Sequence, residues 1–256
     1  MSSKVSTFIC QNCGTETSQY FGKCLNCNSW NSIVEEIKNK RSKHQDIKNT
    51  KKSIPFNEIS SKKISRFTSG FKEFDRVLGG GIVPGSVVLL GGEPGIGKST
   101  IVLQSAGKIS LNEKVLYITA EESLEQVKIR WERLNQYSID LKIFAETNLS
   151  LIIEEIKRVS PSFAIIDSIQ AIQNHDMESS PGSVSQVRAC SSELQNLAKD
   201  NNIALLIIGH VTKDGALAGP KTLEHLVDTV INFEGDNISS HRFCLLYTSP
   251  SPRDNR

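Results

Sequence analysis

The run Gly92–Ser99, with Thr100 after it, reads G-x-x-x-x-G-K-S and strongly restricts how the chain around it can fold. Ser86–Leu90 just before it is apolar and β-rich, and Ile101–Ala106 just after it has helical spacing. Gly92, Gly95 and Gly97 let the backbone curl until successive N–H groups face one anion-sized hollow. The helix that opens at Ser99 adds the positive end of its dipole to the same place. Glu93, Pro94 and Ile96 fill the variable positions, so Gly92–Thr100 as a whole is the expected nucleotide-binding segment. Lys98 is expected to reach the β- and γ-phosphates of ATP, and the Ser99 hydroxyl to ligand Mg²⁺.

From about Phe67 onward, short β-rich runs alternate with helical-period segments. After Ser86–Leu90 come Ser99–Ser110, Val115–Thr119, Leu124–Leu134, Leu141–Ala145, Leu149–Val159, Phe163–Asp167, Val184–Lys199, Ile203–His210 and Thr229–Phe233. Near-continuous apolar strands with crossover helices indicate an α/β fold, an open doubly wound sheet that is mostly parallel. Ligands of such sheets bind at the carboxyl ends of the strands. Phe163–Asp167 ends there in a carboxylate, and Asp167 is the expected acidic group on the Mg²⁺ side. Val115–Ala120 is followed by Glu121 and Glu122. One carboxylate can activate the attacking water while the other caps the next helix, and Glu121 is read as the base and Glu122 as the cap. His210 ends another buried strand, either as a polar exit residue or as a sensor of the γ-phosphate.

The six cysteines are unevenly placed: Cys10, Cys13, Cys24 and Cys27 form two Cys-x-x-Cys pairs ten residues apart, while Cys190 and Cys244 stand alone. Four thiolates on two tight turns suit tetrahedral Zn²⁺, and four sulfurs leave no open position, so the metal is structural. Tyr20, Phe21, Lys23 and Trp30 surround these turns, either packed against them or forming a basic aromatic surface. Cys190, inside a helical-period segment, reads as a buried small hydrophobe. Residues 38–66 then carry ten Lys and Arg against Asp46 and Glu58, the composition of a basic linker. Across the chain, 30 Lys plus Arg against 28 Asp plus Glu argue neither for nor against a polyanionic partner. No signal peptide or apolar run of membrane-spanning length is present, and a soluble cytoplasmic protein is expected.

Taken together, Phe71–Ser86, Gly91–Thr100, Ala145–Leu149, Ile166–Gln170, Gly209–Gly215, Ala218–Val230 and Phe233–Asp236 resemble the RecA/DnaB-like ATPase superfamily, and within it a bacterial family of DNA-repair ATPases. The resemblance runs almost from Cys10 to Phe243 and implies a domain plan. Residues 1–34 are a zinc module, 35–66 a basic linker and 67–243 a RecA-like ATPase domain. It also implies an ATPase that binds single-stranded DNA and drives branch migration of recombination intermediates. That enzyme would work as a ring, a hexamer in the intact protein, beside a RecA-type recombinase. Lys98, Ser99 and Asp167 keep the roles given above, Glu121 aligns with the catalytic glutamate, and His210 with the γ-phosphate-sensing strand end. Such proteins turn two loops toward the ring channel, here Ala171–Val187 and Val211–Glu224, and Lys213 and Lys221 in the second are the expected DNA contacts. The family continues beyond Phe243 into a Lys-Asn-Arg-Phe-Gly motif and a Lon-protease-like domain. Neither is found here, and Cys244–Arg256 reads as an aberrant tail that leaves the ATPase domain incomplete and its turnover impaired. Two other readings remain at this point: a KaiC-type regulatory switch acting on proteins, and a zinc- and ATP-binding fragment with little turnover.

Overall fold

The computed structural model describes residues 5–38, 53, 55, 58, 66–135, 137–210, 223–235 and 242–248. In chain order the elements are β1 (Val5–Cys10), β2 (Glu16–Thr17), β3 (Ile33–Lys38), α1 (Lys72–Val77), β4 (Val87–Gly92), α2 (Lys98–Ile109), β5 (Val115–Thr119) and α3 (Leu124–Arg133). They continue with β6 (Leu141–Ala145), α4 (Leu149–Val159), β7 (Phe163–Asp167), α5 (Val184–Asn201), β8 (Ala204–Ile208), β9 (Thr229–Gly235) and β10 (Arg242–Thr248). A small antiparallel sheet has the order β2-β1-β3, and the large one has seven strands in the order β10-β9-β4-β8-β7-β5-β6. All neighbours in the large sheet are parallel except β10, which runs antiparallel to β9.

Successive residues of one strand enter opposite layers, as the two-residue period of a strand requires. Leu89, Leu116, Ile118, Ala164, Ile166, Leu205 and Ile207 pack with α4 and α5. Leu90, Val115, Tyr117, Phe163, Ile165, Leu206 and Ile208 pack with α1, α2 and α3 on the other face. β4, β5, β7 and β8 are buried at every residue, and burial on both sides explains why they are mostly apolar. Cys190 lies in the first of these cores. Burial, then the Glu193 charge, raises its thiol to about 12, in keeping with its reading as a small hydrophobe.

Local chemistry sets the helix ends. Ser123 and Gln126 form a capping box at α3, so Ser123 and not Glu122 is the cap. Asn148 and Ser183 cap α4 and α5 through their side chains. Left-handed residues Ser160 and Asn202 end the same two helices.

Two boundaries differ from the sequence reading. β3 runs to Lys38, into the stretch assigned to the linker, because its register against β1 continues as Val5↔Lys38. Cys244–Leu246 and Thr248 pair with β9 as part of β10, which lies at the edge of the sheet with one ladder formed.

Gly107 of α2 lies against Trp131 of α3: a Cβ there would lie 2.6 Å from Cη2 of Trp131. Gly107→Ala should therefore cost about 1–3 kcal/mol of stability by overpacking, despite the better helix former. In a Trp131→Leu background the same change should be neutral or stabilising, by up to about 1 kcal/mol. Urea unfolding of the four proteins checks both statements.

Candidate functional site

β4 is buried to its last residue and stops at Gly92, where the chain turns away at φ 154°. A Cβ at Gly92 would lie 2.5 Å from the Phe233 carbonyl oxygen of β9, so the loop can leave this parallel pair only through glycine. Gly97, at φ 106°, starts α2, whose first turn has N–H groups to offer an anion. Lys98 is 4% exposed and donates from Nζ to the carbonyls of Gly92 at 2.6 Å and Glu93 at 2.8 Å. Burial lowers its pKa, and the negative charges of Asp167, Glu121 and Glu93 oppose that shift. The ammonium is thus already held over the loop, where phosphate oxygens would be stronger acceptors than carbonyls.

The other expected groups arrive at the same sheet edge. Thr119 pairs with Asp167 across β5 and β7, and the Ala120 amide donates to the Asp167 carbonyl at 2.7 Å. The Asp167 side chain is buried and accepts at Oδ2 from the Tyr117 hydroxyl, 2.5 Å away. Burial, and then the Asp167 charge, raise the Tyr117 phenol well above its ordinary range.

Glu121 Oε1 accepts from the Ser168 hydroxyl and lies 3.0 Å from His210 Nε2. The His210 hydrogen bond is the first cause that keeps Glu121 below the usual carboxylate range. Burial works against it, while Ser168 and the charges of His210 and Lys98 support it. Glu122 points elsewhere and pairs with Arg130 of α3. The structure therefore separates the two adjacent glutamates, one at the phosphate loop and one at a helix flank.

Lys98, Ser99, Glu121, Asp167 and His210 are thus assembled from the ends of β4, β5, β7 and β8 and the start of α2. Sequence reasoning missed Tyr117, Ser168 and Gln186. Tyr117 sits in an apolar run, Ser168 reads as a turn residue, and no local pattern marks Gln186. That glutamine is buried and organises the segment after β7. It accepts from the Asn174 amide at 2.9 Å and donates to the carbonyls of Asn174 at 3.0 Å and Ser179 at 2.9 Å. The channel loop that the resemblance implied, Ala171–Val187, ends earlier, because Ser183 caps α5 and the helix begins at Val184, where the helical spacing of Val184–Lys199 also starts. Lys213 and Lys221 lie outside the described residues.

The two cysteine turns are near copies of each other. The amides of Gly14 and Asn28 donate to the carbonyls of Cys10 and Cys24, and the amides of Cys10 and Cys24 donate to the carbonyls of Thr15 and Ser29. Gly14 and Asn28 both take positive φ, at 72° and 59°. The four Sγ atoms lie within 4.8 Å of one another, with Cys10–Cys27 at 3.6 Å and Cys13–Cys24 at 3.5 Å. Tetrahedral Zn–S bonds of about 2.3 Å require S···S separations of about 3.8 Å, so the donor set fits zinc.

Hydroxyls of Thr15, Ser29 and Ser32 lie 3.2–3.3 Å from the sulfurs. At Cys13 burial favours the neutral thiol, but hydrogen bonds from the Thr15 side chain and backbone and from the Cys27 and Cys24 thiols outweigh it, leaving the pKa at about 6. Tyr20, Phe21 and Trp30 are exposed; Tyr20 meets Phe8 edge-on with ring centres 6.0 Å apart, and Lys23 Nζ stands 5.7 Å from the Trp30 ring centre.

Residues 55–216 match the AAA domain family, and residues 8–35 match the rubredoxin metal binding domain family. The DNA repair protein RadA of Listeria monocytogenes is 49% identical over 243 residues, which cover 93% of this chain and 53% of that protein. The RadA of Streptococcus pyogenes serotype M6 is 47% identical over 96% of this chain and 54% of its own length, and that of Bacillus subtilis 44% over 96% and 55%. The chain spans about half the length of the curated relatives it matches. A solved KaiC-like protein of Pyrococcus horikoshii has a TM-score of 0.55 at 18% identity over 73% of this chain and 89% of that one, a likeness of fold. The sheet is accordingly a RecA-like α/β core, and the N-terminal module a zinc ribbon. Among the described residues, no helix is long and apolar enough to cross a membrane.

Cys13→Ser should reduce bound zinc, measured by inductively coupled plasma mass spectrometry, to a small fraction of the wild-type content. Amide exchange should speed up in residues 5–38, whose apolar core is small, while β4, β5 and β7 keep their protection.

Proposed function

The chain belongs to the AAA domain family, among relatives of the DNA repair protein RadA, and on that footing we propose that it is a DNA-dependent ATPase of recombinational repair. In this reading it acts in the cytoplasm, binds single-stranded DNA and, as part of a hexameric ring beside a RecA-type recombinase, drives branch migration. The observation that carries the ATPase reading is the meeting of Lys98, Asp167 and a hydrogen-bonded Glu121 at one sheet edge.

Each residue has a distinct task. The Gly92–Thr100 backbone and the start of α2 bind the phosphates, and Lys98 counters charge that builds on the β- and γ-oxygens. Ser99 and Asp167 would hold Mg²⁺, which when bound neutralises and orients the phosphates. Glu121 orients the attacking water and takes its proton. Its lowered pKa keeps it ionised, and so able to accept, at neutral pH. Ser168 and His210 hold its Oε1 in place. His210 also opens the segment that contains Lys213 and Lys221, the proposed phosphate-backbone contacts. The link from base to DNA loop is therefore short.

Glu121→Gln should leave ATP binding intact and lower hydrolysis by about 10²–10⁴-fold. The sign of the pH effect follows from the lowered pKa: activity is present above it and is lost as pH falls through it. His210→Ala removes the first cause of the lowering, so the acid limb of the kcat profile should shift to higher pH. An unshifted limb would disconnect His210 from the base.

The DNA reading is tested by fluorescence anisotropy of labelled single-stranded DNA, at two salt concentrations, with no nucleotide, ADP or a non-hydrolysable ATP analogue. Affinity should rise with the ATP analogue, and Lys98→Ala should abolish that rise. Binding that follows salt alone would instead reduce the DNA contact to nonspecific attraction by basic residues.

A further inference from the structure

Tyr117 is fully buried in the apolar layer between β5 and α2, among Val115, Phe163, Ile165 and Leu103. A phenylalanine would fill that volume without a polar atom to satisfy, and a buried hydroxyl is costly unless it is bonded. Its bond goes to Asp167. Tyr117 pairs with Ile165 and Thr119 with Asp167, so tyrosine and aspartate lie on one face as diagonal neighbours. A diagonal separation of roughly 7–8 Å suits a phenol reaching along the sheet to a carboxylate. The hydroxyl reaches Oδ2 at 2.5 Å, at the strand end that faces the phosphate loop.

We propose that Tyr117 is a positioning residue for the Mg²⁺–nucleotide complex: by donating to Oδ2 of Asp167 it fixes the carboxylate and leaves Oδ1 to the metal. The proposal rests on the reading of Asp167 as the metal-side carboxylate. It assigns a function to a side chain that, by residue type and burial, would otherwise pass for core. Holding one oxygen removes the rotation by which a lone carboxylate would swap its oxygens or turn toward Lys98. The benefit therefore falls on metal-dependent affinity and not on the binding of nucleotide alone.

The test uses Tyr117→Phe, Asp167→Asn and the double variant of the full chain. A fluorescent ADP is bound first in EDTA and then as Mg²⁺ is titrated, and urea unfolding of each protein is followed in parallel. Y117F should bind nucleotide in EDTA as the wild type does, yet need about tenfold more Mg²⁺ for its half-maximal effect, the order expected for one hydrogen bond to a charged group. D167N should shift the titration further, and adding Y117F to it should change nothing more.

A Y117F titration that overlays the wild type while D167N shifts would overturn the positioning role alone. So would equal, additive shifts in the double variant, or loss of the fold in Y117F, since each would make the hydroxyl a structural group. A D167N titration identical to the wild type would instead overturn the metal-side reading of Asp167, and the proposal with it.

Discussion

The parallel ladder between β5 and β7 sets Thr119 opposite Asp167, and just past it the Ala120 amide bonds to the Asp167 carbonyl at 2.7 Å. This pairing brings the turn carrying Glu121 beside the turn carrying Ser168. It also puts Tyr117 and Asp167 on one face. A slip of one residue would send Tyr117 and Asp167 to opposite layers of the sandwich and separate Glu121 from Ser168. Burial on both faces holds the register, because Leu116 and Ile118 fill one core while Val115 and Tyr117 fill the other.

The same edge concentrates charge in a small volume. A buried ammonium at Lys98 faces the carboxylates of Asp167, Glu121 and Glu93, and its burial cost is partly offset by them. Two of these acids have hydrogen-bond partners: Tyr117 for Asp167, and Ser168 and His210 for Glu121. Hydrogen-bonded charges of this kind are preorganised, and preorganised charges need little rearrangement during a reaction. Glycine at position 92 makes the geometry possible, since any side chain would strike the neighbouring strand before the loop could turn.

The zinc ribbon solves a different physical problem. Among the described residues its buried apolar set is Ile9, Cys10, Cys24 and Ile33, with Phe8 and Cys13 packed against the last three, a small core for ordering three strands. Metal–sulfur bonds supply what the core cannot. Hydrogen bonds with Thr15 and Ser29 favour the thiolates of Cys13 and Cys27, while Trp30, with Lys23 beside it, is exposed. The large sheet needs no such help, because its core extends over both faces.

Much of this was readable in the linear pattern. The glycines of Gly92–Thr100 marked a tight turn between a strand and a helix, and Gly92, Gly95 and Gly97 take positive φ there. The bounds of β5, β6, α4 and β7 coincide with the runs read in sequence, and β5 and β7 are buried at every residue. The cysteine spacing likewise specified its four-sulfur centre. What the linear pattern left undecided depends on neighbours distant along the chain. Glu121 and Glu122 are equivalent in sequence, and only the approach of Ser168 and His210 on one side and Arg130 on the other separates their roles. Tyr117 looks like any core aromatic until β7 places Asp167 over its hydroxyl. Sequence by itself determined the alternation of strands and helices between Ser86 and Phe233, because periodicity and glycine placement act locally. Tertiary structure alone decided which polar groups meet, because hydrogen bonds between strand ends depend on a register that no single segment contains.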